Sequence, residues 1–213
     1  SNYLNVAENL VDPAHVSFVH PTTLGNKASE NIPVHVSTEG EVIVAWRWIR
    51  DAEPIGFFKA FGGFEGNVDR WHYYNLHMPS IAVIDFGSAP VDQGIGESED
   101  ERNKASRVLA IHLMTPVDEH HTIDRWMHLR NTAMADDAAS AKVDDLLRTA
   151  FAEDLEILEA VHAEEQRPSH RRPIRIAIDR GPMVYRKRIN EMIEQERTQD
   201  LSAAPSPAFV YHD

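Results

Sequence analysis

Apolar positions follow two different rhythms along the chain. At 34–37, 42–49, 71–78, 81–86, 107–114 and 121–129 they bunch or alternate in runs rich in β-branched and aromatic residues, which predicts six strands. The first two are joined by a turn at 38–41 and the last two form a hairpin. Alternation puts His112 on one face with Val108, Ala110 and Met114, and puts Thr122, Asp124, Trp126 and His128 together on one face of the partner strand. Six strands in series predict a twisted antiparallel sheet with one buried face. Between them, 50–67 carries Pro54, Gly56, Gly62, Gly63 and Gly66 among Phe57, Phe58, Phe61 and Phe64. It reads as a mobile loop holding one short helix, with the phenylalanines as hydrophobic anchors or a lid. The acidic stretch within 87–106 reads as a solvated, poorly ordered excursion.

Helical spacing takes over at 140–165. With Val143 as zero and about 100° per residue, Leu146, Leu147, Ala150, Ile157, Leu158 and Val161 fall within about 60° of it. Asp154 lands in the middle of that arc, at about 20°. A carboxylate centred on a buried stripe needs a partner, either an arginine or a metal ion. A second helix is predicted at 182–195, and 201–213 reads as a flexible tail. Near the start, Leu10, Val11, Val16 and Val19 suggest a short amphipathic helix, with Asp12 as its cap, Pro13 as its first residue and Pro21 ending it at His20.

Composition narrows the function. The length of 213 residues, 42% hydrophobic and 26% charged, suits one large domain with a full core. No apolar run approaches a membrane span and no signal segment is evident, so a cytoplasmic location is expected. A net charge of −13 argues against nucleic acid and anionic membranes as partners. The short basic run Arg167, Arg171, Arg172 and Arg175 reads as a solvated loop or a docking patch. Cysteine is absent, which removes thiolate metal sites, thiol nucleophiles and any cysteine-held iron–sulfur cluster within the chain.

His15 and His20 stand behind Asp12. Two imidazoles and one carboxylate make the facial triad that holds ferrous iron with open positions for other ligands. Their spacing is unusual, because residues five apart lie roughly 140° apart around an ideal helix. Both reach one ion only if the helix distorts or ends between them. A hydrolytic zinc site is the rival chemistry, but no general base is placed beside the pair. A metal-free ligand-binding module on the same sheet and helix is the rival class. His112 faces inward, either to hydrogen-bond a substrate or as a core histidine, and Trp126 and Trp71 read first as packing residues.

With these residues placed, Asn9-x2-Asp12-x2-His15-x4-His20, a sheet, and then Glu153-Asp154-x2-Ile157-x-Glu159 resemble the catalytic domain of Rieske non-heme iron oxygenases. Thr115-Pro116 and Trp126-x3-Arg130-Asn131 resemble its aromatic O-demethylase branch, the vanillate O-demethylase oxygenase type. The resemblance implies an α+β fold of the helix-grip type, an antiparallel twisted sheet wrapped around a long C-terminal helix, over 1–200. It implies His15, His20 and Asp154 as ligands of a mononuclear Fe(II). It implies Asp12 as the aspartate that bridges an iron-ligating histidine to a Rieske-cluster histidine of a neighbouring subunit, and Asn9 as a residue beside the iron. An aromatic, methoxybenzoate-like substrate would lie near His112 and Trp126. Dioxygen, a reductase or ferredoxin donor and a homotrimer follow by the same resemblance; ring hydroxylation and N-demethylation remain open beside O-demethylation. The family's [2Fe–2S] cluster needs cysteines, so an N-terminal Rieske domain is expected to be absent from this chain. The isolated domain is then expected to bind iron without turning over on physiological electrons.

Overall fold

Each of the six apolar runs forms a strand in the computed structural model, which describes residues 1–168 and 174–198. The strands β1 (His35–Glu39), β2 (Val42–Ala52), β3 (Val68–His77), β4 (Ile81–Pro90), β5 (Ser106–Pro116) and β6 (Thr122–Arg130) make one antiparallel sheet in chain order. Register carries the inward residues across the sheet in rows: Ile43, Leu76, Ala82, His112 and Trp126 in one, and Ala45, Tyr74, Ile84 and Ala110 in the next.

Against that face lie α1 (Tyr3–Asn9), α5 (Asp137–Glu165) and α6 (Arg180–Thr198), contributing Ala7, Val143, Leu147, Tyr185 and Ile189 to one core. Local chemistry starts two of these helices. The Asn2 side chain accepts from Leu4 N–H at 2.9 Å, and that of Asp136 accepts from Ala139 N–H at 3.0 Å, so each supplies an N-cap.

Three expectations need correction. At 50–67 the loop is shorter than expected, since β2 runs on to Ala52, while the expected short helix is α3 (Gly56–Phe61), where Phe57 and Phe58 are buried anchors against Phe86 at ring separations of 5.2 and 5.8 Å. The side chain of Phe61 lies outside the described residues. Nor is 87–106 wholly a solvated excursion, although 91–94 and 97–100 are exposed. It completes β4, and on either side of the one-turn α4 (Glu99–Arg102) it lays Ile95 and Ala105 over Trp71 on the outer face of the sheet. There Asp85, nearly buried, accepts from Arg102 Nε at 3.1 Å and from Arg107 Nη2 at 2.8 Å, a fold-back that local sequence statistics do not reveal.

The third concerns α5, whose apolar arc is buried only at its start. Val143, Leu147 and Ala150 are core, whereas Ile157 and Val161 are 46% and 43% exposed. The helix is roughly 44 Å long, and its buried residues Ala139, Val143, Leu147 and Ala150 all lie in its first half. The proposed tail at 201–213, and Arg171 and Arg172 of the basic run, lie outside the described residues. Among the described residues no helix is long and apolar enough to cross a membrane.

Candidate metal centre

The helix expected from Asp12 to His20 is instead a turn followed by α2 (Val16–Val19), a single helical turn with His15 and His20 as its two caps. Asp12 Oδ1 accepts from Ala14 N–H at 2.8 Å and so shapes the turn. This resolves the spacing: the two rings leave opposite ends of one turn and converge, with centroids 5.2 Å apart. His20 has φ −115° and ψ 50°, outside the helical region that the residue before Pro21 avoids.

Glycine and buried polar groups hold this turn in place. Gly25 N–H donates to His20 O at 2.8 Å, and a Cβ on Gly25 would stand 2.0 Å from Val16 O, so any larger residue must push the turn outward. Beneath it Arg47 donates to Ser29 O at 2.8 Å and to Ser17 Oγ at 3.3 Å, and Ser17 and Ser29 share a hydrogen bond of 2.7 Å.

From α5, Asp154 meets both rings. Its Oδ1 is 3.1 Å from His20 Nε2 and 3.6 Å from His15 Nε2, and one ligand atom of each residue lies within 4.8 Å of the others. Asn9 Nδ2 donates to the same oxygen at 2.9 Å. The inner nitrogens are taken: His15 Nδ1 lies 2.5 Å from the Asp12 carbonyl, and His20 Nδ1 lies 2.8 Å from Glu153 Oε2, which also accepts from Thr23 Oγ1 at 3.2 Å. Holding Nδ1 in this way presents Nε2 to a shared point, the arrangement that orients metal-bound imidazoles. The residues present therefore fit a divalent ion. Asp12 reaches His15 through its main-chain carbonyl, not through the carboxylate expected from the sequence.

Electrostatics match this arrangement. Burial disfavours the ionised form of Asp154, but His20, His15 and Asn9 outweigh it and hold the carboxyl below the ordinary range. Burial works against protonated His20 as well, yet Asp154 and Glu153 raise it overall, whereas burial lowers His15. Burial raises Asp12.

A cavity of about 30 Å³ opens on His15, His20 and Asp154 and is walled by Tyr74, Ile84, Phe86, His112, Leu147 and Phe151. A second, of about 230 Å³, adjoins it and shares Asn9, Leu10, His112, Phe151 and Asp154. His112 Nδ1 pairs with Asp124 Oδ2 at 2.7 Å, and its Nε2 is buried without a partner among the described residues. Trp126 lines the second cavity only, with its ring 4.9 Å from Phe151. Sequence reasoning missed Glu153, Tyr74 and Phe151. Phe151 sits at about 80° on the helical wheel, just outside the arc. Glu153 finds its partner 133 positions away, and nothing in the local sequence signals that.

A sheet gripping a helix that delivers one carboxylate to two imidazoles makes a candidate two-histidine, one-carboxylate metal site. The chain belongs to the vanillate O-demethylase oxygenase C-terminal domain family, whose model matches residues 1–195. It is 28% identical over 201 residues to the toluene-4-sulfonate monooxygenase system iron-sulfur subunit of Comamonas testosteroni, covering 92% of this chain and 57% of that protein. Against the vanillate O-demethylase oxygenase subunit of a Pseudomonas species it is 27% identical over 206 residues, covering 93% and 61%. Dicamba monooxygenase bound to 3,6-dichlorosalicylic acid shares the fold, with a TM-score of 0.77 at 20% identity over 93% of this chain and 57% of that one. The chain thus spans a little over half the length of these relatives.

Proposed function

We propose that this domain is the catalytic part of a Rieske-type aromatic monooxygenase. His15, His20 and Asp154 would hold one Fe(II), and the substrate would be a methoxybenzoate-like aromatic that loses its O-methyl group. The observation that carries this reading is the convergence of three ligand atoms within 4.8 Å, both imidazoles being tied at Nδ1. It also separates this reading from a metal-free ligand-binding module, which has no use for such convergence. Bound there, ferrous iron supplies the activation of dioxygen with two electrons from outside the chain. The net reaction consumes an aryl methyl ether, dioxygen, two electrons and two protons, and yields a phenol, formaldehyde and water.

The chain's own groups have separate tasks. Asn9 donates to Asp154 and keeps one carboxylate oxygen in place. His112, oriented by Asp124, turns Nε2 toward the cavity, where it can bond a ring hydroxyl or acid group. The cavity beside the ligands is about the size of one water, so an aromatic ring requires Phe151 to turn and merge the two cavities, bringing Trp126 into the wall. Asp12 is half-buried beside His15, and Phe18 on the same turn is 64% exposed, which supports this surface as the place where a Rieske domain from a neighbouring subunit of a trimer docks. That cluster would be fed by a reductase or ferredoxin. Anaerobic titration with ferrous iron tests the reading: one iron per chain is expected in the wild type and none in His15→Ala, and equal metal content in both would overturn it.

A further inference from the structure

Two arginines lie at the bottom of the sheet with no carboxylate on them. Arg47 and Arg70 are 0% and 1% exposed, on the inward face of β2 and β3. Among the described residues neither has an ion pair; Asp12 acts on Arg47 only at longer range, and Arg70 has only the side-chain oxygen of Asn26 at 2.5 Å. Among the described residues Arg47 Nε, Arg70 Nε and Nη1, His72 Nδ1 and Ser88 Oγ are all buried without a hydrogen-bond partner.

Register gathers these atoms. Arg47 stands opposite His72, and Arg70 stands opposite Ser88, which stands opposite Ser106, whose Oγ is also buried and unpartnered. Side chains of directly opposed residues lie on one face, so the groups form two adjacent rows. Every arginine nitrogen here is a donor, and the hydroxyls and imidazole can donate as well. A concentration of buried donors around two uncompensated positive charges calls for an acceptor that carries negative charge. Water meets the hydrogen-bonding need but leaves the charge unanswered. Burial, aggravated by Arg47, pushes Arg70 down to about 10, still protonated at neutral pH.

We infer that Arg47, Arg70, His72 and Ser88 form a binding site for a small monovalent oxyanion, separate from the metal centre. Two openings border its edges. His72 lines the cavity beside the iron ligands, and Ser88 and Ser106 line a surface trench formed with 62–67 and 103–105. The anion is therefore either a free solute ion or the acid group of an aromatic molecule entering past His72. The inference stands whether or not the neighbouring ligands hold iron.

Thermal unfolding of the metal-free chain tests it, with sodium nitrate and sodium formate as probes at constant ionic strength made up by a bulky sulfonate salt. A saturable rise is expected, about 5 to 10 °C at a hundredfold excess over Kd, and it should vanish in Arg70→Met. Should Arg70→Met fail to fold, bromide soaked into wild-type crystals is expected to give an anomalous peak between Arg47 and Arg70. Competition then names the source. Displacement of nitrate by benzoate but not by benzamide identifies an aromatic acid, and displacement by neither identifies a free ion. A salt response that never saturates and is the same in wild type and Arg70→Met, or the lack of a bromide peak at these arginines, overturns the inference.

Discussion

Glu153 and Asp154 are neighbours in sequence with different tasks, since Asp154 faces the convergence point and Glu153 holds the back of His20. On the proposed reading, removing Asp154 would take away a ligand, whereas Glu153→Gln would weaken the orientation and basicity of one. Glu153→Gln is expected to lower Fe(II) affinity about 10- to 100-fold while keeping one iron per chain at saturation, measured by anaerobic titration. The same contacts set a pH dependence. Asp154 and Glu153 raise His20 above the usual histidine value, so in the metal-free chain it keeps its proton to higher pH, and that proton must leave before Nε2 can bind metal. Iron affinity should therefore fall as pH drops through the raised His20 value. Calorimetry in two buffers of different ionisation enthalpy should show proton release on binding; identical heats in both would contradict this.

Among the elements, α5 shows what a sequence does and does not reveal. The helical wheel places Asp154 on the buried stripe because that stripe is a property of 3.6-residue spacing alone. It overstates burial at Ile157 and Val161, because coverage depends on tertiary packing, which spacing does not encode. The six strands were legible from β-branched runs, whereas the fold-back of 87–106 over Trp71 was not, since its acidic residues pair with arginines brought there by tertiary structure. The early turn was misread for the opposite reason: Asp12-Pro13 is a good local start signal, but Asp12 caps a tight turn at Ala14 and not a helix reaching His20. Two predictions belong here. Leu147→Ala, at a fully buried position in α5, is expected to cost about 2–5 kcal/mol in chemical denaturation. Gly25→Ala is expected to weaken iron binding as well as stability, because its Cβ would strike Val16 O within the ligand-bearing turn; unchanged iron affinity would show that the turn does not depend on this close approach.

For the whole molecule, the sheet and the helices grip one corner where Asn9 of α1, the two histidines that cap α2, and Asp154 of α5 meet. Phe18 is exposed at that corner, and Asp12 is half-buried there. In a full-length oxygenase carrying this domain, Asp12→Asn is expected to leave iron content intact and to slow substrate oxidation by at least tenfold, read as turnover per iron; unaltered turnover would remove Asp12 from the electron path. Everything else rests on Asp154 and the two imidazoles sharing one ion. Anaerobic loading with ferrous iron followed by nitric oxide reads that directly in the electron paramagnetic resonance spectrum. A high-spin iron–nitrosyl signal at one per chain is predicted for the wild type and its loss or marked change for Asp154→Asn, and a signal of the same shape and intensity in both would contradict the assignment.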